Sequence, residues 1–158
     1  MTKLEQLFQL LQSHQYHLLT VESATCGLIA STIGGQSGAS QIFNGGFVVY
    51  TPEAKENFLK IAKYKINKYG TVSSQIAYEM LTHANKILPT ECIISVTGNA
   101  GPTALEEKPV GLFYIGFKIN NQYAVRELQL DSNLNRNQMR AAVVDYCFDE
   151  LIALLNNF

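Results

Sequence analysis

The sequence predicts a single-domain α/β protein, an α/β/α sandwich around a mixed β-sheet. Short apolar stretches typical of strands alternate with amphipathic stretches typical of helices along the 158 residues. Two strand-like stretches near the end are joined by a turn, and no repeat, low-complexity segment or linker interrupts the pattern. Such a chain is long enough to bury one core, and it buries strands best between layers of helices. We therefore assign residues 1–158 to one domain.

The first half of the chain alternates between helix and strand. A capping box at residues 2–5 opens a helix whose apolar residues recur at helical spacing. His17 to Val21 is predicted to form a short strand, and Thr25 to Ile33 a helix that ends at two glycines. Phe47 to Tyr50 is a continuous apolar run, so we expect a strand that is buried on both faces.

Three helix starts follow later in the chain. Residues 51–53 combine a capping hydroxyl, a proline and an acid, which is typical of a first helical turn. Ser73 caps a second helix, which Pro89 ends. The last helix begins at about Asn135, and its inner face is apolar.

The remaining strands are predicted from apolar runs and turn residues. Cys92 to Val96 is an apolar strand that leads into a loop rich in glycine. Gly111 to Ile119 and Gln122 to Leu130 are separated by two asparagines, which indicates a hairpin. A hairpin beside strands that alternate with helices predicts a mixed sheet.

Composition and charge argue against two classes of binding partner, nucleic acids and membranes. The formal net charge is −1, and no stripe of Lys and Arg is present to neutralise a phosphate backbone, so we expect no nucleic-acid partner. No stretch approaches the roughly 20 apolar residues of a membrane helix. The N-terminal residues lack the layout of a signal peptide. We expect a cytoplasmic protein without a membrane partner.

Neither cysteines nor histidines suggest a metal. The three cysteines are odd in number and lack ligand spacing, which favours free thiols in a reducing compartment. The three histidines stand alone, without acidic or sulfur partners at ligand spacing. We expect no metal site.

A first polar cluster, residues 22–27, follows the first predicted strand. In α/β sheets ligands gather beyond the strand ends, and N–H groups that open a helix there can hold a phosphate. Glu22, Ser23 and Thr25 are thus candidate binding residues. The alternative is an ordinary helix start that Thr25 caps.

A second cluster combines Ser40, Tyr50 and Lys55. Lys55 falls in the first turn of a helix, where the macrodipole disfavours a cation. That position and partial burial both lower the pKa of an ammonium, so Lys55 could act as general base toward the Ser40 hydroxyl. Tyr50 could relay or stabilise the proton. A solvated Lys55 and an ordinary Ser40 remain the alternative.

A third cluster is the loop from Thr97 to Pro109, with Gly98, Gly101 and Lys108. Small residues allow backbone to approach a ligand closely, and Thr97 or Lys108 could meet a phosphate or carbonyl. A connecting loop would have similar turn residues.

Two arginines complete the candidates. Arg136 and Arg140 lie four residues apart and so share one face of the last helix. They could clamp a phosphate or form a solvated surface.

Six segments, in this order, resemble the CinA C-terminal-domain family of nicotinamide-nucleotide amidases over nearly the whole chain. The resemblances are residues 20–27 to T-A-E-S-C-T-G-G, 38–40 to G-S-S, 46–55 to G-x-V-x-Y-S-N-E-A-K, 70–73 to G-A-V-S, 97–102 to T-G-I-A-G-P, and 107–111 to E-K-P-V-G. Arg136 and Arg140 fall where the family has a paired arginine signature.

The resemblance implies a reaction and a catalytic trio. Ser40, deprotonated by Lys55 with help from Tyr50, would attack the carboxamide of nicotinamide mononucleotide. Ammonia and nicotinic acid mononucleotide would be released without cofactor or metal. N–H groups near Ser40 would stabilise the oxyanion. The resemblance also implies a homodimer and the stand-alone form of the domain. The substrate-binding residues would be Glu22, Ser23, Thr25, Thr97, Gly98, Gly101, Lys108, Arg136 and Arg140.

Three departures from the family pattern keep other functions open. Residues 24 and 26 are Ala and Cys instead of Cys and Gly, and Pro52 replaces Asn. Residues 103–106 replace a glycine-rich stretch, which predicts a stiffer loop. An amidase for another amide is one alternative. The other is a degenerate nucleotide-binding or partner-binding domain without turnover.

Overall fold

Six helices and five strands account for most of the chain in the computed structural model, which describes residues 1–158. The helices are α1 (Lys3–His14), α2 (Leu28–Gly34), α3 (Pro52–Leu59), α4 (Lys63–Tyr69), α5 (Ser74–Ile87) and α6 (Arg136–Leu155). The strands are β1 (Leu18–Glu22), β2 (Phe43–Val48), β3 (Cys92–Gly98), β4 (Leu112–Ile119) and β5 (Gln122–Gln129). A short 3₁₀ turn, Ala39–Gln41, precedes β2.

The five strands form one mixed sheet in the order β2-β1-β3-β4-β5. The first three strands are parallel, and β4 and β5 run antiparallel to their neighbours. A larger apolar core lies between the sheet and α1, α2 and α6. A smaller core lies between the opposite face of the sheet and α3, α4 and α5. The predicted α/β/α sandwich with a mixed sheet is confirmed.

Strand β1, which lies between β2 and β3, is fully buried, and its successive side chains point to opposite faces of the sheet. Leu18 packs in the larger core, whereas Leu19 and Val21 pack in the smaller one. The same alternation directs Glu22 toward α2 and Ser23 toward α3. These two neighbouring polar side chains therefore lie on opposite faces of the sheet.

The helix starts follow the predicted capping chemistry. Thr2 forms a capping box with Glu5. Thr51 accepts a hydrogen bond from the N–H of Ala54. Ser73 and Asn135 cap α5 and α6 in the same way. Each capping side chain accepts a hydrogen bond from an N–H group that has no partner within the first helical turn. The local sequence therefore suffices to predict where these helices begin.

Three local predictions need correction. The strand expected at residues 47–50 is β2, which starts at Phe43 and includes both glycines. It is an edge strand with alternating exposure, since it pairs only with β1, and Val48 is 44% exposed. The α2 helix begins at Leu28 because Cys26 and Gly27 have positive φ angles of 50° and 90°. The α4 helix was not predicted.

None of the helices combines the length and the apolar character needed to cross a membrane.

Candidate active site

A cleft of about 340 Å³ opens at the carboxyl edge of the parallel strands. The loops that follow β1, β2 and β3 meet there, as expected for a doubly wound sheet. The start of α6 and the turn before α5 close its sides. The lining residues are Ser23, Ala24, Tyr50, Thr71, Val72, residues 97–103, Leu105 and Arg136.

Beneath the cleft, Lys55 contacts Ser23. Lys55 lies in the first turn of α3, and only 1% of its surface is exposed. Its Nζ donates to Ser23 Oγ at 2.9 Å and to the Val49 carbonyl at 2.9 Å. Ser23 Oγ in turn donates to the Tyr50 carbonyl at 3.3 Å. Ser23 therefore joins a buried amine to the floor of the cleft.

Burial lowers the pKa of Lys55 to about 8, and the nearby Glu106 carboxylate partly opposes this shift. No acid forms an ion pair with Lys55 to hold the proton on it. A lysine with this pKa is partly neutral near physiological pH, which a general base requires.

Unpaired N–H groups follow Ser23 directly. The N–H groups of Ala24 and Thr25 form no hydrogen bond within the chain. Ala24 also lines the cleft. Backbone donors beside a nucleophile are the usual means of stabilising an oxyanion. Of these two residues only Ala24 lines the cleft, so its N–H group is the candidate donor that the sequence did not identify.

Ser40 lies at the opposite edge of the sheet. It is exposed and belongs to the 3₁₀ turn that precedes β2, whereas Lys55 follows the carboxyl end of that strand. Its neighbour Gln41 contacts Gln12 near the end of α1. Six strand residues at ~3.3 Å each separate the two ends of β2 by about 20 Å. Within one chain the structure does not bring Ser40 to Tyr50 and Lys55, and the predicted Ser40–Lys55 contact is not formed.

Tyr50 and Arg136 form the rim of the cleft. The side chain of Tyr50 is half exposed, and Arg136 donates from Nη2 to its hydroxyl. Arg136 Nη1 donates to the Gly101 carbonyl at 2.7 Å. The Tyr50 hydroxyl is therefore bound to Arg136 and not to Lys55. Arg136 therefore links the loop after β2, which carries Tyr50, to the loop after β3, which carries Gly101.

Glu22, Thr25 and Arg140 lie behind the cleft. The Glu22 carboxylate is fully buried and accepts from Thr25 Oγ1 at 2.7 Å and from the N–H of Ile29 at 2.9 Å. Arg140 donates from Nη2 to the Thr25 carbonyl at 2.9 Å. These contacts hold the turn that carries Ser23, and none of the three residues lines the cleft.

The loop after β3 supplies much of the cleft wall. Thr97 donates from its hydroxyl to the Thr71 carbonyl at 2.7 Å. A side chain on Gly98 would overlap the Phe113 ring, since a Cβ would lie 2.1 Å from it. The Gly101 N–H donates to Asn99 Oδ1 at 3.0 Å. Lys108, however, lies outside the cleft.

Sequence reasoning missed four residues at this site. Thr71 and Val72 line the cleft, Asn99 is buried and holds the loop, and Glu106 contacts the turn opposite. Asn99 stands where the family motif has Ile, and Glu106 stands in the altered segment, so both were visible as departures. Thr71 stands where the family motif has Ala, so it too was visible as a departure, whereas Val72 had no signal beyond the motif that contains it.

No group of three or more His, Cys, Asp or Glu side chains is placed to hold a metal ion.

The fold and the cleft define an α/β protein with an open cleft at the carboxyl edge of its sheet. A family model described as "CinA C-terminal domain" matches residues 1–155. The chain belongs to the CinA C-terminal-domain family.

Sequence relatives carry competence-related names. A "Putative competence-damage inducible protein" of a Thermoanaerobacter species is 41% identical over 146 residues, which cover 92% of this chain and 35% of that protein. A "CinA-like protein" of Kosmotoga olearia is 40% identical over 140 residues, covering 88% and 34%. The chain thus spans about a third of the length of these relatives.

Solved structures share the fold over their whole length. The competence/damage inducible protein CihA from Agrobacterium tumefaciens is 31% identical, with a TM-score of 0.87 and coverage of 99% of this chain and 97% of that one. The competence damage-inducible protein A from Klebsiella pneumoniae has a TM-score of 0.94 at 22% identity, with coverage of 99% and 96%. The second likeness concerns the fold alone.

Proposed function

We propose that the chain is an amidase that hydrolyses the carboxamide of nicotinamide mononucleotide, with Ser23 as nucleophile and Lys55 as general base. The contact of 2.9 Å between Lys55 Nζ and Ser23 Oγ, at the floor of the cleft, carries this proposal. The substrate comes from the family resemblance. The nucleophile differs from the one expected from the sequence, because Ser23 is the serine that has a base beside it.

In the first half of the reaction, neutral Lys55 keeps its hydrogen bond to the Val49 carbonyl and accepts the proton of Ser23. The Ser23 oxygen attacks the carboxamide carbon, and the N–H group of Ala24, which lines the cleft, stabilises the resulting oxyanion. Lys55 then returns the proton to the departing nitrogen, so ammonia leaves and Ser23 is acylated.

The second half repeats the proton transfers with water. Lys55 takes a proton from a water molecule, whose oxygen attacks the acyl carbon. Collapse of the intermediate breaks the bond to Ser23, which recovers its proton from Lys55. The products are nicotinic acid mononucleotide and the free enzyme. This chemistry needs no redox cofactor, since no atom changes oxidation state.

Arg136 is the best-placed cation for the substrate phosphate. It lies on the cleft rim, and a guanidinium can bind phosphate through two parallel N–H groups. The cleft volume falls at the lower end of small-molecule sites, which suits a single nucleotide. Homodimer formation, a cytoplasmic location, and the absence of nucleic-acid or membrane partners remain predictions.

The test is ammonia release from nicotinamide mononucleotide by the purified chain, with Ser23→Ala and Ser40→Ala measured in parallel. We expect wild-type turnover, loss of at least about 10³-fold in Ser23→Ala, and little change in Ser40→Ala. Loss in Ser40→Ala alone would overturn the assignment of Ser23. Binding of the nucleotide without turnover would favour the degenerate binding domain, and neither binding nor turnover would refute the substrate.

A further inference from the structure

The altered segment 103–106 ends in a carboxylate that is bound by the turn before α5. One oxygen of Glu106 accepts from the Thr71 N–H at 2.8 Å and from the Thr71 hydroxyl at 3.0 Å. The other oxygen accepts from the Val72 N–H at 2.9 Å. Lys108 Nζ donates to the Val72 carbonyl at 2.6 Å. We call this set of contacts between Glu106, Lys108 and residues 70–72 the latch.

The turn is shaped for that carboxylate. Gly70 has a positive φ of 76°, and a Cβ at this position would lie 2.9 Å from Glu106 Oε1. Burial alone would raise the pKa of Glu106, but the N–H groups of Val72 and Thr71 outweigh it and lower that pKa. Glu106 is therefore ionised at neutral pH, and its three hydrogen bonds are charge-assisted.

The latch joins two walls of the cleft. Thr71 and Val72 line it from the turn before α5, and Thr103 and Leu105 line it from the loop. Glu106 and Lys108 directly follow these loop residues. The Glu106 carboxylate supplies three of the hydrogen bonds that hold these walls together, beside the bond from Lys108 to the Val72 carbonyl. Ser23 and Lys55, in contrast, are positioned by β1 and α3.

We propose that Glu106 is a positioning residue that fixes the loop wall of the cleft against the turn of residues 70–72 and thereby sets substrate affinity. This inference rests on the proposed function. In this chain, residues 103–106 replace a glycine-rich stretch of the family pattern. The Glu106 carboxylate at the end of this segment binds it to the turn of residues 70–72. The substrate then binds against a cleft wall that is already ordered, so less conformational entropy is lost on binding.

The test compares Glu106→Gln with Glu107→Gln. Both glutamates are exposed and both variants remove one negative charge from the same loop, but only the Glu106 side chain accepts hydrogen bonds. In Glu106→Gln we expect KM for nicotinamide mononucleotide to rise about tenfold and kcat to change less than threefold. In Glu107→Gln both constants should stay at the wild-type values. An unchanged Tm in both variants shows that the fold is retained.

A second measurement reports on the latch without turnover. Hydrogen exchange of the Thr71 and Val72 amides should become faster in Glu106→Gln and stay unchanged in Glu107→Gln. Unchanged exchange would overturn the latch, and faster exchange with unchanged KM would overturn its role in binding. A lower KM would show that Glu106 competes with substrate, which also contradicts the inference. If the wild type binds the nucleotide without hydrolysing it, weaker binding by Glu106→Gln supports the latch although the amidase proposal fails.

Discussion

The two edges of the parallel strands each present a serine, and the two serines have opposite surroundings. At the carboxyl edge Ser23 is buried and accepts a hydrogen bond from a desolvated lysine. At the amino edge Ser40 is exposed in a 3₁₀ turn. Both residues lie in segments that match motifs of the family. The difference between them comes from what the neighbouring elements place beside each hydroxyl.

This contrast shows what activates a serine. A serine hydroxyl is a weak nucleophile by itself and needs an adjacent base. Lys55 reaches the carboxyl edge because α3 begins there, directly after β2. At the amino edge no basic group forms a hydrogen bond with the exposed Ser40 hydroxyl. A motif therefore identifies a candidate, and the neighbours decide whether it can react.

The largest expected effect is that of Lys55→Met. Removal of the base should lower kcat at least about 10³-fold. The same change removes a buried amine whose pKa is lowered from 10.5 to about 8, which favours the variant at pH 7, but it also removes the hydrogen bond to the Val49 carbonyl, so stability should change far less than activity. Urea unfolding and ammonia release measure the two effects. Lys63→Met, at an exposed position, is the control, and equal loss of activity there would contradict the assignment.

The pH profile is the next test of the carboxyl-edge pair. Because the reaction requires neutral Lys55, kcat should fall about tenfold per pH unit below pH 8 and level off above it. The contribution of Lys55 to folding stability also increases with pH. Between pH 8 and 10.5 the unfolded chain binds more protons at Lys55 than the folded one, so folding becomes more favourable as pH rises through that window. A flat kcat between pH 6 and 9 would argue against a lysine base.

A smaller effect is expected at the rim. Arg136→Ala removes the donors to Tyr50 and Gly101 and the proposed phosphate contact. Since a hydrogen bond to a charged group contributes about 1.5–3 kcal/mol, KM should rise about 10- to 100-fold. Arg140→Ala serves as comparison, because Arg140 does not line the cleft. An equal change of KM in both variants would mean that Arg136 acts only through the fold.

The smallest effect belongs to the amino edge. Ser40→Gln places a larger side chain at an exposed position, so activity should stay within about twofold and stability within about 0.5 kcal/mol of the wild type. Initial rates and urea titration measure both. A tenfold loss of activity at normal stability would return Ser40 to the catalytic site, for instance through a second copy of the chain.

Local chemistry was sufficient to predict most of the fold. The caps at Thr51, Ser73 and Asn135 satisfy N–H groups of their own helices, so the sequence alone specifies these starts. The hairpin at β4 and β5 likewise depends on adjacent residues. The burial of β2 could not be predicted, because exposure depends on strand order. Whether a strand lies at an edge is a property of the whole sheet.

The sequence by itself determined the layers, the family resemblance and the presence of a lysine at a helix start that disfavours it. Only the tertiary structure decided which serine meets that lysine. Ser23 and Lys55 are 32 residues apart and meet because β1 and α3 end and begin at the same edge. The alternation of side chains along β1 then turns Ser23 toward α3 and Glu22 toward α2. Such a pairing depends on the register and order of the strands, which no local motif records.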